Sequence, residues 1–179
     1  TDTSFSVAAW VRPTPGQPGQ VMGAVGQDGN LTSGFSLSYR GDLNRWMFRM
    51  PNADTADPPG AVDPPGTSAV APDIPQPGQW THLVGVYNQQ TGRIQLYVNG
   101  VLRAETPLPA GFVPWHAGGP LAVGRQRCGT ASGGAPCDPW AGAIDEVKVY
   151  DRPVTATEAA TLARGDSPQA GHRPGEPPR

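Results

Sequence analysis

The chain has 179 residues, which suits one domain, or one domain with a tail, and leaves room for a two-layer core. Its net charge of −2 argues against an electrostatic nucleic-acid surface, and no apolar run is long enough to insert a helix into a membrane. Its 24 glycines and 22 prolines approach the low-complexity range, but here they punctuate short apolar runs, the pattern of an all-β protein with long loops.

In chain order, Phe5 to Val11 reads as a strand with Phe5, Val7, Ala9 and Val11 on one face. A turn-rich stretch from 13 to 19 follows. Gln20 to Val25 and Phe35 to Tyr39 are predicted strands, joined through Gly26 to Asn30. A turn from Asp42 to Arg45 leads into a strand from Trp46 to Met50. The stretch from 51 to 78 carries eight prolines, and so long a loop is often functional. A short strand near Thr67 to Ala71 interrupts it.

Trp80 to Tyr87 is rich in Val, Leu, Tyr and Trp, which suit a pleated surface. Arg93 to Val98 alternates strictly, with Ile94, Leu96 and Val98 opposite Arg93, Gln95 and Tyr97. Asn99-Gly100 then signals a type I′ turn, which needs positive φ at both central residues. Val101 to Ala104 returns, completing a meander. A meander buries its apolar face only against a second layer.

The stretch from 105 to 120 reads as a loop that exposes Trp115 and His116. Leu121 to Gly124 is a short strand. Cys128 and Cys137 flank small residues, so the chain can fold back and join them in a disulfide, which implies an oxidising compartment. The alternative is two free thiols. Zinc is not expected, because no His lies nearby. Ala143 to Tyr150 is the closing strand. Thr155 and Glu158 form a capping box for a helix over Thr155 to Ala163. The domain is expected to span 1–165, with 166–179 a disordered Pro/Gly-rich tail or linker.

No catalytic residues are expected. Glycoside hydrolysis needs two carboxylates aimed at one bond. The four glutamates, Glu105, Glu146, Glu158 and Glu176, are scattered. Asp145 and Glu146 are neighbours in a predicted strand, so alternation points them to opposite faces. His82 lies within a strand, His172 in the tail, and His116 has no recognisable nucleophile elbow near it. Asp145 shares a face with Val147 and Val149. If that face is the core, its carboxylate must be hydrogen-bonded or metal-bound.

Three segments, SFSVAAWVRP from Ser4, WTHLVGVYNQQTGRIQLYVNG from Trp80 and GAIDEVKVYDRPVTATEAATL from Gly142, resemble the laminin-G-like, concanavalin A-like jelly-roll family. The resemblance implies an antiparallel two-sheet jelly-roll sandwich with one short C-terminal helix. It does not fix function, because this fold hosts lectins, glycanases, pentraxins and adhesion modules. Its glycanases place acids on alternate positions of one strand, a pattern absent here.

The function expected by resemblance is a non-catalytic binding module of a secreted or surface multidomain bacterial protein. The chain begins inside the first motif, as a piece of a longer protein would. Its expected partner is a glycan or cell-surface polymer, with other domains of the same parent protein also expected to contact it. Nucleic acid and membrane insertion are not expected. The alternative is a structural or protein-adhesion module without a sugar site. Ligand-binding candidates are Asp28, Trp46, Trp115, His116 and Trp140, with Gln27, Asn30 and Arg49 as possible neighbours on one concave face. Relatives of this fold use calcium to tie edge loops, which makes Asp145, Asp2 and Asp138 the candidate carboxylates of a structural Ca2+ ion. The chain departs from the pentraxin branch at Arg125-Gln126-Arg127-Cys128, where those proteins carry an acidic calcium loop.

Overall fold

A computed structural model describes residues 1–15, 19–56, 65–130 and 133–165. The predicted tail, 166–179, lies outside the described residues, as does 57–64 of the Pro-rich stretch. The elements are β1 (Phe5–Pro13), β2 (Val21–Asp28), β3 (Ser33–Arg40), β4 (Arg45–Pro51), β5 (Gly66–Val70), β6 (Thr81–Asn88), β7 (Arg93–Val98), β8 (Val101–Pro107), β9 (Leu121–Val123), β10 (Gln126–Thr130), β11 (Gly133–Cys137), β12 (Gly142–Tyr150) and α1 (Ala156–Leu162). Among the described residues, ten strands form two five-stranded sheets, ordered β12-β1-β6-β7-β8 and β5-β4-β3-β2-β9, and β10 and β11 form a separate two-stranded sheet. Neighbouring strands run antiparallel. The expected jelly-roll sandwich is present.

The alternation read from the sequence decides what each sheet buries. Phe5, Val7, Ala9 and Val11 of β1 and Ile94, Leu96 and Val98 of β7 face Phe35, Leu37 and Phe48 of the second sheet. The Phe5 ring lies 4.9 Å from Phe35 and 6.2 Å from Phe48. Removing such rings from water is the main favourable term in the fold. Gly85 on β6 admits the Phe48 ring where any Cβ would collide with it.

The first sheet is also covered on its outer face. Ala8, Val84, Val86 and Tyr97 lie beneath α1, which contributes Ala159, with Val154 just before it. The helix begins where the sequence placed it. The Thr155 hydroxyl accepts from the Glu158 N–H at 3.2 Å, and the Glu158 carboxylate accepts from the Thr155 N–H at 2.7 Å. The predicted turn is equally plain: Asn99 has φ 50° and Gly100 φ 79°. Asn99 adds a clasp, since its N–H donates to the His82 carbonyl and its side-chain oxygen accepts from the His82 N–H.

Two expectations need correcting. The cysteine stretch, for which no strand was expected, folds back as a β-hairpin. Cys128 faces Ala135 and Gln126 faces Cys137 across β10 and β11. The disulfide joins Cys128 to Cys137 with Cα atoms 5.8 Å apart. Its glycines and alanines have weak strand propensity, so the sequence hides the strands that the crosslink supports.

The second correction concerns β12. Ala8 pairs with Lys148 and Trp10 with Asp145, so Ala9 alone opposes Glu146 and Val147. That is a β-bulge, and Glu146 takes φ 49° within it. The extra residue breaks strict alternation. Ile144 and Val147 pack against the core, while Asp145 and Glu146 are both exposed. Asp145 is therefore not a core acid, and the two carboxylates do not alternate between an inner and an outer face.

Candidate functional site

One end of the sandwich gathers several of the predicted residues. Thr1, just before β1, donates its hydroxyl to the Trp115 carbonyl at 2.6 Å and accepts from the Ala117 N–H at 2.9 Å. The Trp115 indole N–H donates to the Pro51 carbonyl at 3.0 Å, which fixes the ring and leaves it partly buried. His116 Nδ1 lies 3.5 Å from Asp2 Oδ1, and their side chains are 70% and 51% exposed. Asp2 is held below the usual carboxylate range, first by a backbone hydrogen bond and then by His116.

Asp28 ends β2 at the same end but is 3% exposed. Arg125 clamps it through two bonds of 3.0 and 2.8 Å, and Arg127 stands 3.9 Å away. A bidentate Arg–carboxylate pair is a strong structural tie. Asp28 therefore supports the end loops and has little left to offer a ligand. Arg125 stands in the stretch where the resemblance led one to look for acids. Asp54 was not predicted at all. It accepts from the Asn30, Leu31 and Thr32 N–H groups at 2.6, 2.8 and 2.9 Å. Burial works against the Asp54 carboxylate, but these donors outweigh it and lower its pKa. An acid four residues after a strand end is the faint signal that sequence reasoning passed over. Gln27 also belongs here, donating to the Ala117 carbonyl at 2.7 Å.

Trp46 and Trp140 do not join this end. Trp46 is 1% exposed and packs in the core, and Trp140 packs against the same cluster. Trp46 is nearly fully buried, and Trp140 is half-buried against it. Arg49 is likewise buried.

The carboxylates proposed for calcium do not come together. Asp145 Oδ1 accepts from the Glu146 N–H at 2.8 Å, Asp2 faces His116, and Asp138 accepts from the Gln126 amide at 3.1 Å. Among the described residues, one group of three potential metal ligands occurs, Cys128, Cys137 and Asp138, whose ligand atoms lie within 4.8 Å of one another. Two of those atoms are the sulfurs of the disulfide. Asp138 is then the one hard donor, whereas calcium takes about six to eight oxygens. Among the described residues, this group does not fit a calcium shell.

The described glutamates lie on three different elements, and each is held by a cation. Glu105 on β8 pairs with Arg93 at 2.9 Å, Glu146 on β12 with Lys148 at 3.2 Å, and Glu158 on α1 with Arg152 at 2.7 Å. His82 is 3% exposed, with its ring 5.1 Å from Trp10 and its Nδ1 without a hydrogen-bond partner. Burial first, and the Lys148 charge second, push its pKa down to about 4. It is a neutral, packed ring. Among the described residues no helix is long and apolar enough to cross a membrane.

Comparison with known proteins agrees with this architecture. A family profile for the concanavalin A-like lectin/glucanases superfamily matches residues 1–160. The human pentraxin-related protein PTX3 is 40% identical over 57 residues, a match spanning 32% of this chain and 15% of that protein. The heptameric SAP-like pentraxin of Limulus polyphemus superposes with a TM-score of 0.62 at 16% identity, covering 89% of this chain and 69% of that one. The CBM40 module of the Ruminococcus gnavus IT-sialidase, solved with α2,3 sialyllactose, gives 0.68 at 12% identity, covering 90% and 83%.

Proposed function

We propose that this chain, which belongs to the concanavalin A-like lectin/glucanases superfamily, is a non-catalytic carbohydrate-binding module of a secreted or surface multidomain protein. The observation that carries this reading is the rim where an anchored Trp115 adjoins the exposed His116–Asp2 pair. An aromatic ring fixed by its own N–H stacks on the C–H face of a sugar, and neighbouring polar groups take its hydroxyls. The likeness to a sialidase's CBM40 module bound to sialyllactose supports the ligand class. The disulfide supports an oxidising, extracellular setting.

The scattered, cation-paired glutamates support binding without hydrolysis. Because the donor set does not fit calcium, binding is proposed to be independent of that ion. The test is a glycan array followed by calorimetry on the strongest hits, with Trp115→Ala and His116→Ala in parallel. Loss of binding in both variants supports the rim as the site. An array that stays blank at high protein concentration favours the structural or adhesion reading.

A further inference from the structure

The opposite end of the sandwich carries a feature that the rim does not explain. There β1 ends, β6 begins and β7 turns into β8. A cleft of about 270 Å³ opens between the segment after β5 and the β7–β8 turn. Trp80, Ile74, Gln76, Asn99, Asp73 and Arg103 line it.

Each group has a distinct chemical part. Arg12 lies over the Trp80 ring, 5.0 Å from its centroid, yet Arg12 is not among the residues lining the cleft. The cation braces the indole, and the half-buried Trp80 forms part of the cleft wall. Ile74 and Val101 also line the cleft, apolar side chains that are 57% and 55% exposed. Asp73 and Arg103 form a two-bond ion pair of 2.6 and 2.7 Å. The pair cancels its own charge while keeping lone pairs and N–H groups at the wall. Gln76 and Gln79 are exposed amides, able to donate and accept.

We infer that this cleft is a second saccharide site, built for the end of a neutral pyranose chain. Three features select that ligand. A pyranose has one apolar C–H face and a rim of hydroxyls, which matches a partly buried indole flanked by planar polar groups. The self-neutralised Asp73–Arg103 pair offers no net charge, so neither an anionic sugar nor a cationic ligand gains from it. The volume lies just under the usual range for small-molecule sites, which suits one ring rather than a buried chain. The Ile74 to Gln76 segment also lines a neighbouring hollow with Tyr39 and Asn44, so the rest of a chain has a surface to lie on. This inference stands apart from the rim reading and shares no residue with it.

The experiment is an NMR titration of the indole N–H signals with neutral trisaccharides of glucose, mannose, galactose and xylose, and with sialyllactose as the charged probe. The Trp80 signal is assigned by Trp80→Phe. At least one neutral trisaccharide is expected to move it, while sialyllactose does not. Affinity is expected to fall tenfold or more in Trp80→Ala and in Ile74→Glu, and to stay within twofold in Trp115→Ala. Ile74 is exposed, so its replacement leaves the fold intact and keeps the test valid if Trp80→Ala fails to fold. No movement of the Trp80 signal at millimolar neutral sugar overturns the inference. So does binding that survives Ile74→Glu. Binding lost in Trp115→Ala but not in Ile74→Glu overturns it and leaves the rim standing.

Discussion

Trp46 and Trp140 stack against each other inside the sandwich, ring centroids 6.3 Å apart and planes 19° from parallel. Two rings expected to meet a ligand instead meet one another. Trp46→Ala should therefore act on stability, costing about 3–5 kcal/mol as large-to-small core changes do. Denaturant unfolding measures it. A loss below about 1 kcal/mol would show that the ring is not packed as described.

The same packing sets the second prediction. Gly85→Ala places a methyl group into the Phe48 ring across the sheet interface. Overpacking of this kind costs about 1–3 kcal/mol. A thermal melt of the variant should shift downward, and an unchanged midpoint would mean that the sheets separate more easily than their contact implies.

Reduction of the Cys128–Cys137 disulfide should lower stability by roughly 2–3 kcal/mol, the scale for a short closed loop. The hairpin it closes also holds Arg127, which donates to the Ser33 hydroxyl and the Asn30 carbonyl at 2.9 Å each. Thermal melts with and without reductant read the effect. Identical midpoints after full reduction would contradict it.

Much of the fold was legible because the first sheet is built from regular patterns. The strict alternation of β7, the Asn99-Gly100 turn and the Thr155–Glu158 capping box each name a geometry that few other structures satisfy. The site was less legible. Asp145 was set on one face with Val147 and Val149 because alternation was carried through β12, but the bulge at Glu146 depends on pairing with β1, which no local pattern records. Trp46 looked loop-adjacent, yet a residue at a strand start is buried when the opposite sheet covers it. Arg125 clamps Asp28 across 97 positions of chain, a contact visible only in three dimensions.

His82 gives a prediction in pH. Its folded pKa is lowered to about 4 from 6.5, by burial and by Lys148. Between those values the unfolded chain binds a proton that the folded chain refuses. Stability is then fully present above pH 6.5 and falls as pH drops toward 4, by up to roughly 3 kcal/mol. His82→Leu should flatten the melting temperature across that window. A wild-type melting temperature constant from pH 7 to 4 would contradict the buried neutral ring.

The central claim is that this module binds saccharide without cleaving it. Its most direct test incubates the purified protein with the polysaccharide of its strongest array hit and measures retention and reducing ends together. The account predicts retention of protein on the polymer and no reducing ends above blank, alike for wild type and Glu146→Gln. Reducing ends that accumulate with wild type and vanish in Glu146→Gln would contradict it.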